Sequence, residues 1–177
     1  MRPYQHLIRD VPDFPKPGIV FKDIAPLLAD TAAYAAVISD LAGLSRGSRP
    51  LKVAGVESRG VLFGAPLALA LGVGFVPIRK PGKLPWTVAR AEYALEYGVD
   101  SLEMQTDSLD PGDRVLIVDD VLATGGTAGA AIELVDAMGG VVVGCAFVIE
   151  LAFLGGRTRL SGIVPAGAEV SSLITYP

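Results

Sequence analysis

The sequence predicts an α/β fold: a central, mostly parallel sheet flanked by helices. Runs such as Leu51 to Val56, Val115 to Val118 and Val141 to Glu150 are almost wholly aliphatic or β-branched, which is how strands buried on both faces of a parallel sheet read. These runs alternate with stretches of helical spacing, and βαβ alternation implies right-handed crossovers between parallel strands. A length of 177 residues, 51% of them apolar, fits one domain over 1–177 with a sizeable core.

In chain order, Arg2 to Arg9 is expected to form a short helix with Pro3 near its start. Pro12, Pro15 and Pro17 argue against regular structure from Asp10 to Gly18, and Ile19 to Ile24 reads as a short extended segment. Asp30 and Thr31 are candidate caps for a helix from about Ala32 to Leu44, with Tyr34, Val37, Ile38 and Leu41 on one face. Ser45 to Pro50 is a loop, Leu51 to Val56 a strand, Gly60 to Leu71 a helix ended by Gly72, and Phe75 to Ile78 the next strand. Lys80 to Arg90 carries Pro81, Gly82 and Pro85 among scattered charges; loops this long in compact domains are usually functional or disordered. Glu92 to Tyr97 alternates and is expected to pair with Ser101 to Thr106 across Gly98-Val99-Asp100. After the strand at Val115 comes a helix bearing Ile132, Leu134, Val135 and Met138. Val141 to Glu150 is a long strand, Phe153 to Leu160 a turn or short helix, and Val170 to Tyr176 the last strand.

Composition removes several function classes. No run reaches the roughly 18 uncharged apolar residues of a membrane span; the longest candidate, Val61 to Ile78, is broken by Gly64, Pro66, Gly72 and Gly74. The N-terminus carries Arg2, His6, Arg9 and Asp10 without an apolar core, so no signal peptide is expected. One cysteine, Cys145, makes no internal disulfide and, beside a single His, no zinc site. A cytoplasmic location is the default. The net charge of −4 argues against nucleic-acid binding as the main activity. Yet Ser58 to Ala91 holds no acidic residue while it contains Arg59, Arg79, Lys80, Lys83 and Arg90. A cationic patch on an acidic protein points to a small, highly charged ligand.

The chemistry concentrates between Arg114 and Thr127. Asp119 and Asp120 sit where the apolar strand is expected to end, and Ala123-Thr124-Gly125-Gly126-Thr127 opens the following helix. Ligands of open α/β sheets bind beyond the carboxyl ends of strands. A Gly/Thr turn opening a helix offers unpaired amides and the positive end of a dipole worth roughly half a charge. The loop therefore suits a phosphate, and the two carboxylates suit the vicinal hydroxyls of a sugar. Diol and phosphate together describe a ribose 5-phosphate. An NTPase reading needs Gly-x-x-x-x-Gly-Lys-[Ser/Thr]; the only Gly-Lys, Gly82-Lys83, is followed by Leu84 and lacks the upstream Gly.

The run Asp119 to Thr127 resembles the phosphoribosyl-diphosphate signature of the type I phosphoribosyltransferases. Together with Val20-Phe21-Lys22-Asp23, Glu57-Ser58-Arg59-Gly60, Arg79-Lys80-Pro81-Gly82-Lys83-Leu84-Pro85 and Leu95-Glu96-Tyr97-Gly98, the chain from about Asp13 to Tyr176 is similar to the adenine phosphoribosyltransferase family. The resemblance implies the type I fold, with a small N-terminal hood over about residues 10–30 and a flexible lid over about 80–97. It implies purine salvage: transfer of ribose 5-phosphate from phosphoribosyl diphosphate to adenine, giving AMP and diphosphate with Mg²⁺. Ser58, Arg59, Gly60, Arg79, Lys80 and Lys83 would serve the diphosphate, and Asp119 and Asp120 the ribose hydroxyls, reaching the metal through water. Ala123, Thr124, Gly125, Gly126 and Thr127 would hold the 5-phosphate. Phe21 would stack on the purine while the backbone of Val20 and Lys22 reads its edge, and Glu96 would hold the proton that the base loses. The same likeness implies a cis peptide between Glu57 and Ser58 and a homodimer in which Arg79 serves the neighbouring site. Trp86 stands where many bacterial relatives carry a basic residue, which bears on the lid and not on the reaction.

Two rivals share the central loop. A sister transferase for guanine, xanthine or orotate would lack reason for the Val20-Phe21-Lys22 segment. A non-catalytic regulator of this fold would have no need of Glu96 and would usually carry a basic nucleic-acid face.

Overall fold

The computed structural model describes residues 2–45, 47–94 and 99–177. In chain order the strands are β1 (Arg9–Pro12), β2 (Val20–Asp23), β3 (Lys52–Val56), β4 (Gly74–Ile78), β5 (Val88–Ala94), β6 (Val99–Gln105), β7 (Arg114–Leu122), β8 (Val141–Leu151) and β9 (Glu169–Tyr176). The helices are α1 (Ala25–Ala29), α2 (Thr31–Ser45), α3 (Gly60–Leu71), α4 (Gly126–Ala137) and α5 (Gly156–Ser161). Five strands form one sheet in the order β4–β3–β7–β8–β9, and every pairing in it is parallel. The expected parallel sheet is therefore present, and β3–α3–β4 and β7–α4–β8 are its crossover units.

The apolar runs are continuous because both faces of the sheet are covered. On β7, Val115 and Ile117 join the cluster under α4 with Ile132, Val135 and Leu134. Their neighbours Leu116 and Val118 join the cluster under α2 and α3 with Val37, Leu41, Phe63 and Leu67. The period of two along the strand thus feeds two cores at once. Cys145 on β8 is buried, and burial pushes its thiol up to about 12, so it packs and does not react.

Several expectations need correction. The N-terminal helix is only a 3₁₀ turn, Gln5–Leu7, and Arg9–Pro12 is a strand where regular structure was not expected. That strand survives its proline because it lies at the end of a two-stranded ribbon. Opposite charges directly across the ribbon, Arg9 with Asp23 and Lys22 with Asp10, fix its register. A five-residue helix, α1, follows it, and the Asp23 carboxylate accepts the Ala25 amide just ahead of it. Asp30 caps α2 as expected, accepting the Ala33 N–H at 2.8 Å. The loop after Lys80 is shorter than its composition implies, since β5 starts at Val88 and pairs with β6 from Val88↔Gln105 to Ala94↔Val99. Finally, β7 runs on through Asp119 and Asp120 to Leu122, so the two carboxylates stand within the strand's last turns of pleat and not after its end.

Candidate active site

At the carboxyl end of β7, successive side chains point to opposite sides, which separates the roles of the two acids. Asp120 is buried, and the Arg59 Nε lies 2.9 Å from its Oδ2. The guanidinium N–H is not aimed along that line, and among the described residues Oδ2 has no hydrogen bond. Asp119 accepts the Asp120 amide at 2.8 Å. Burial and the charge of Asp120 push the Asp119 carboxyl well above the ordinary range; burial also raises Asp120, against the pull of Arg59. A buried oxygen without a donor, beside a second raised carboxyl, is a site that gains from hydroxyl donors or a cation.

Beyond these acids the chain turns through residues 123–127 into α4. Gly125 takes φ +78°, a conformation that L side chains rarely adopt, and it is the N-cap of α4. The first amides of the helix lack intrahelical acceptors. They open on a cavity of about 50 Å³ bordered by Asp119, Thr124, Gly126, Thr127 and Phe147. Asp119 and the first amides of α4 thus border one small hollow.

The Glu57-Ser58-Arg59-Gly60 turn closes the other side. Its Glu57–Ser58 peptide is cis. Gly60 opens α3 with its Cα against β7: a Cβ there would stand 2.7 Å from Asp119 Oδ1 and 2.7 Å from the Val118 carbonyl oxygen. This contact draws Arg59 and the acids together. The same Arg59 guanidinium lies 4.8 Å from the centre of the Phe21 ring. Phe21 is met edge-on by Phe14, ring centres 5.1 Å apart; Phe14, half exposed in the proline-rich stretch, is a neighbour that sequence reasoning missed. Val20 is exposed beside Phe21, whereas Lys22 turns away to Asp10 and to the face of Tyr176 at 4.0 Å.

A second cavity, about 350 Å³, is bordered by Ser58, Val61, Arg79, Lys83, Leu84 and Glu57. Arg79 Nε donates to Glu57 Oε2 at 3.0 Å, and the Lys80 amide donates to the same oxygen at 3.0 Å. Burial raises the Glu57 carboxyl, but those two donors outweigh it and hold it below its ordinary value. Lys80 does not join Arg79 and Lys83. Its ammonium turns to the hairpin, bonding Asp100 and, at 2.7 Å, the Tyr93 hydroxyl. Asp100 and Tyr93 face each other across β5 and β6; Asp100, expected in the connecting turn, lies in β6, and neither residue was assigned a role in the site from sequence. Glu103 on β6 is a further unforeseen residue: buried, it accepts the Gly82 amide at 2.9 Å and Arg90 at 2.7 Å. Glu96, with Leu95, Tyr97 and Gly98, lies outside the described residues. Among the described residues no three His, Cys, Asp or Glu side chains gather as a metal cage.

This geometry can be set against known proteins. The phosphoribosyl transferase domain model matches residues 22–160. An adenine phosphoribosyltransferase of Anaeromyxobacter dehalogenans is 56% identical over 169 residues, 96% of this chain and 95% of that protein. The crystal structure of adenine phosphoribosyltransferase from Thermoanaerobacter pseudethanolicus superposes with a TM-score of 0.92 at 51% identity, covering 97% of both chains. That of the Saccharomyces cerevisiae enzyme, complexed with an imino-altritol bisphosphate and adenine, gives a TM-score of 0.88 at 40% identity over 96% of this chain and 95% of the other. With a domain match over most of its length and relatives this near along nearly all of it, the chain belongs to the adenine phosphoribosyltransferase family.

Proposed function

We propose that this protein transfers the 5-phosphoribosyl group from phosphoribosyl diphosphate to adenine, releasing AMP and diphosphate in purine salvage. The observation that carries this is the position of Arg59, in contact with Asp120 at 2.9 Å and over the Phe21 ring at 4.8 Å. One side chain thereby ties the acids suited to a ribose diol to the aromatic ring suited to a purine. A flat base between Arg59 and Phe21 needs roughly 7 Å, twice an ordinary contact of about 3.5 Å. Arg59 therefore withdraws as the base arrives and covers its second face. The Val20 and Lys22 backbone groups, two residues apart on β2, project from one edge of the strand and suit the base's hydrogen-bonding edge.

The ribose hydroxyls donate to Asp119 and Asp120, and the 5-phosphate takes the amides of residues 123–127 with the Thr124 and Thr127 hydroxyls. Diphosphate leaves toward Ser58, Arg59, Gly60, Lys83 and an arginine at position 79 (in a dimer, Arg79 of the partner subunit), where donors meet the charge that accumulates on it. Lys80 joins them only after releasing Asp100 and Tyr93. Departure of diphosphate gives an oxocarbenium-like state, as in sugar transfer generally. Glu96 takes or holds the proton that adenine loses. The segment from Lys80 to the β5–β6 hairpin closes over the site and keeps water from the activated sugar.

The donor set fits Mg²⁺ held mainly by phosphate oxygens and water, since among the described residues there are two carboxylates, one with an unsatisfied oxygen, but no dedicated cage. Bound there, the ion would neutralise charge on the leaving diphosphate. A homodimer suits the exposed face of α3, where Leu62 and Leu69 stand two turns apart and Leu69 is 84% exposed; Arg79 would then serve the partner's site. A cytoplasmic location accords with the lone buried thiol, and among the described residues no helix is long and apolar enough to cross a membrane. The deciding experiment offers adenine, guanine, hypoxanthine and orotate together with phosphoribosyl diphosphate and Mg²⁺. AMP as the dominant product is expected; a different nucleotide, or none, sinks the assignment.

A further inference from the structure

We propose that Gly156, which is not itself among the expected ligand contacts, is a positioning residue that sets the shape of the phosphate loop. The proposal rests on the assignment of residues 123–127 to the 5-phosphate. Gly156 is buried at the start of α5, pressed against that loop from behind. A Cβ built on it would lie 2.2 Å from the Ala123 carbonyl oxygen, 2.9 Å from Leu122 Cδ1 and 3.0 Å from the Gly125 amide nitrogen. Two of those three atoms are loop backbone, so no flexible side chain can yield. The contact is reciprocal, because a Cβ on Gly125 would stand 3.0 Å from the Gly156 carbonyl oxygen and 3.3 Å from its Cα. Gly156 begins a helix and does not take a left-handed φ. Space alone, and not backbone conformation, excludes a side chain there.

The support behind Gly156 is itself anchored. Arg157, the next residue, donates its Nε to Glu150 Oε1 at 2.8 Å and its Nη2 to the other carboxylate oxygen. It also reaches the Val170 carbonyl and, at 3.2 Å, the Ser172 hydroxyl. Glu150 is buried at the end of β8, and Arg157 holds its carboxyl below the ordinary range. On the following turn Leu160 is fully buried in the cluster under α4. The C-terminal end of β8 and the first residues of β9 thus fix α5, and α5 fixes the backbone of the loop that presents the amides. Misplacement of such amides by about an ångström costs on the order of a hundredfold in a reaction that relies on positioning.

The test compares Gly156→Ala with Gly162→Ala, a change at the other end of α5 where the nearest atom, the Arg159 carbonyl oxygen, is an ordinary 3.5 Å away. Calorimetry measures ribose 5-phosphate and, separately, diphosphate on each folded protein, and steady-state kinetics gives KM for phosphoribosyl diphosphate. For Gly156→Ala we expect ribose 5-phosphate affinity to drop at least tenfold and KM to rise, with diphosphate affinity within twofold of the parent; Gly162→Ala keeps all three. Glu150→Gln, which loosens α5 without crowding the loop, gives a smaller loss with the same selectivity and serves if Gly156→Ala does not fold. Parental ribose 5-phosphate affinity in a folded Gly156→Ala protein overturns the proposal, as does an equal loss for both ligands. A parent protein that binds diphosphate but no ribose 5-phosphate overturns the phosphate-loop assignment, and this inference with it.

Discussion

On the proposed function the loop into α4 would hold the phosphate and the β5–β6 hairpin would act as a lid, and the two are held by different forces. Around the loop, position is set by backbone contacts that leave no room for a methyl group: Gly60 on the Asp119 strand and Gly156 on residues 123–125. Its acids, Asp119 and Asp120, are pushed up by burial. In the hairpin and at its base, position is set by charge pairs, Arg79–Glu57 at the base and Lys80–Asp100 and Arg90–Glu103 beyond it, and the carboxyls are pulled down. The part that would present amides to a phosphate is built by shape. The part that would open and close is built from ion pairs whose cations could trade a carboxylate for a phosphate.

The sharpest way to break this contrast is one methyl group placed in each region. Gly60→Ala sets a Cβ 2.7 Å from both a carboxylate oxygen and a carbonyl oxygen of β7. It should lower kcat/KM by a hundredfold or more, by roughly the positioning cost of one ångström, and destabilise by about 1–3 kcal/mol as overpacking does. Gly82→Ala in the lid meets nothing within 4 Å and faces only the strain of φ +73°, about 1–2 kcal/mol. Similar kinetic loss in both variants would mean that shape does not distinguish the regions.

Next in size is replacement of both acids, Asp119→Asn with Asp120→Asn. If they accept the ribose hydroxyls, each lost charge-assisted hydrogen bond removes about 1.5–3 kcal/mol. Phosphoribosyl diphosphate should then bind at least about a hundredfold more weakly by calorimetry, with diphosphate alone little affected. Unchanged affinity removes the diol role.

The same contrast decides what was legible in the sequence. The sheet was, because β7 and β8 are buried on both faces and so read as unbroken apolar runs. The loop was, because Gly125 must adopt a conformation that glycine favours and the acids precede it directly. The strand that pairs with Val20–Asp23 was not: β1 is set by the pairs Arg9–Asp23 and Lys22–Asp10, and charges thirteen residues or so apart carry no periodic signal. The start of β5 at Val88 was hidden for a like reason, since Arg90 is tied to a glutamate on the facing strand. Gly156 was unreadable because a close approach between distant segments exists only once the chain has folded. Lys80 was assigned to diphosphate by its motif, yet its contacts are Asp100 and Tyr93, so its motif gave its charge but not its resting partner.

Acidity separates the two regions by sign. For Asp119, burial and then Asp120 raise the folded-state pKa, so the native protein binds a proton that the unfolded chain has released. Its contribution is full below about pH 4, the ordinary carboxyl range, and is lost as pH rises through the raised value. Asp119→Asn removes that penalty. The variant should be more stable than the parent at pH 8, with the gap narrowing toward pH 4 in thermal unfolding. The lid behaves oppositely. The Lys80 hydrogen bond depresses the Asp100 pKa, so that contribution is present above about pH 4 and is lost as pH falls through the depressed value. A gap for Asp119→Asn that widens on acidification would reverse the assignment of burial to the loop.

The smallest effect expected is the removal of a lid pair, and it is the most telling about exchangeability. Burial alone would lower the Lys80 pKa, but the Asp100 and Tyr93 hydrogen bonds overcome this and raise it. Both side chains of the pair remain about one-third exposed, 35% and 31%, so water screens them and the pair contributes no more than about 1 kcal/mol. Asp100→Asn should therefore destabilise by less than that at low salt, and by almost nothing at about 1 M salt, where the screening length is near 3 Å. Its effect on ligand should be opposite in sign: with its carboxylate partner gone, Lys80 is freer to meet diphosphate, whose affinity should rise a few-fold. In a Lys80→Ala background the same Asp100→Asn change should leave diphosphate affinity unaltered, because the ammonium that it releases is absent. A gain that persists without Lys80 would show that Asp100 acts on the ligand directly, as a repelling charge, and that the lid does not work by exchanging partners.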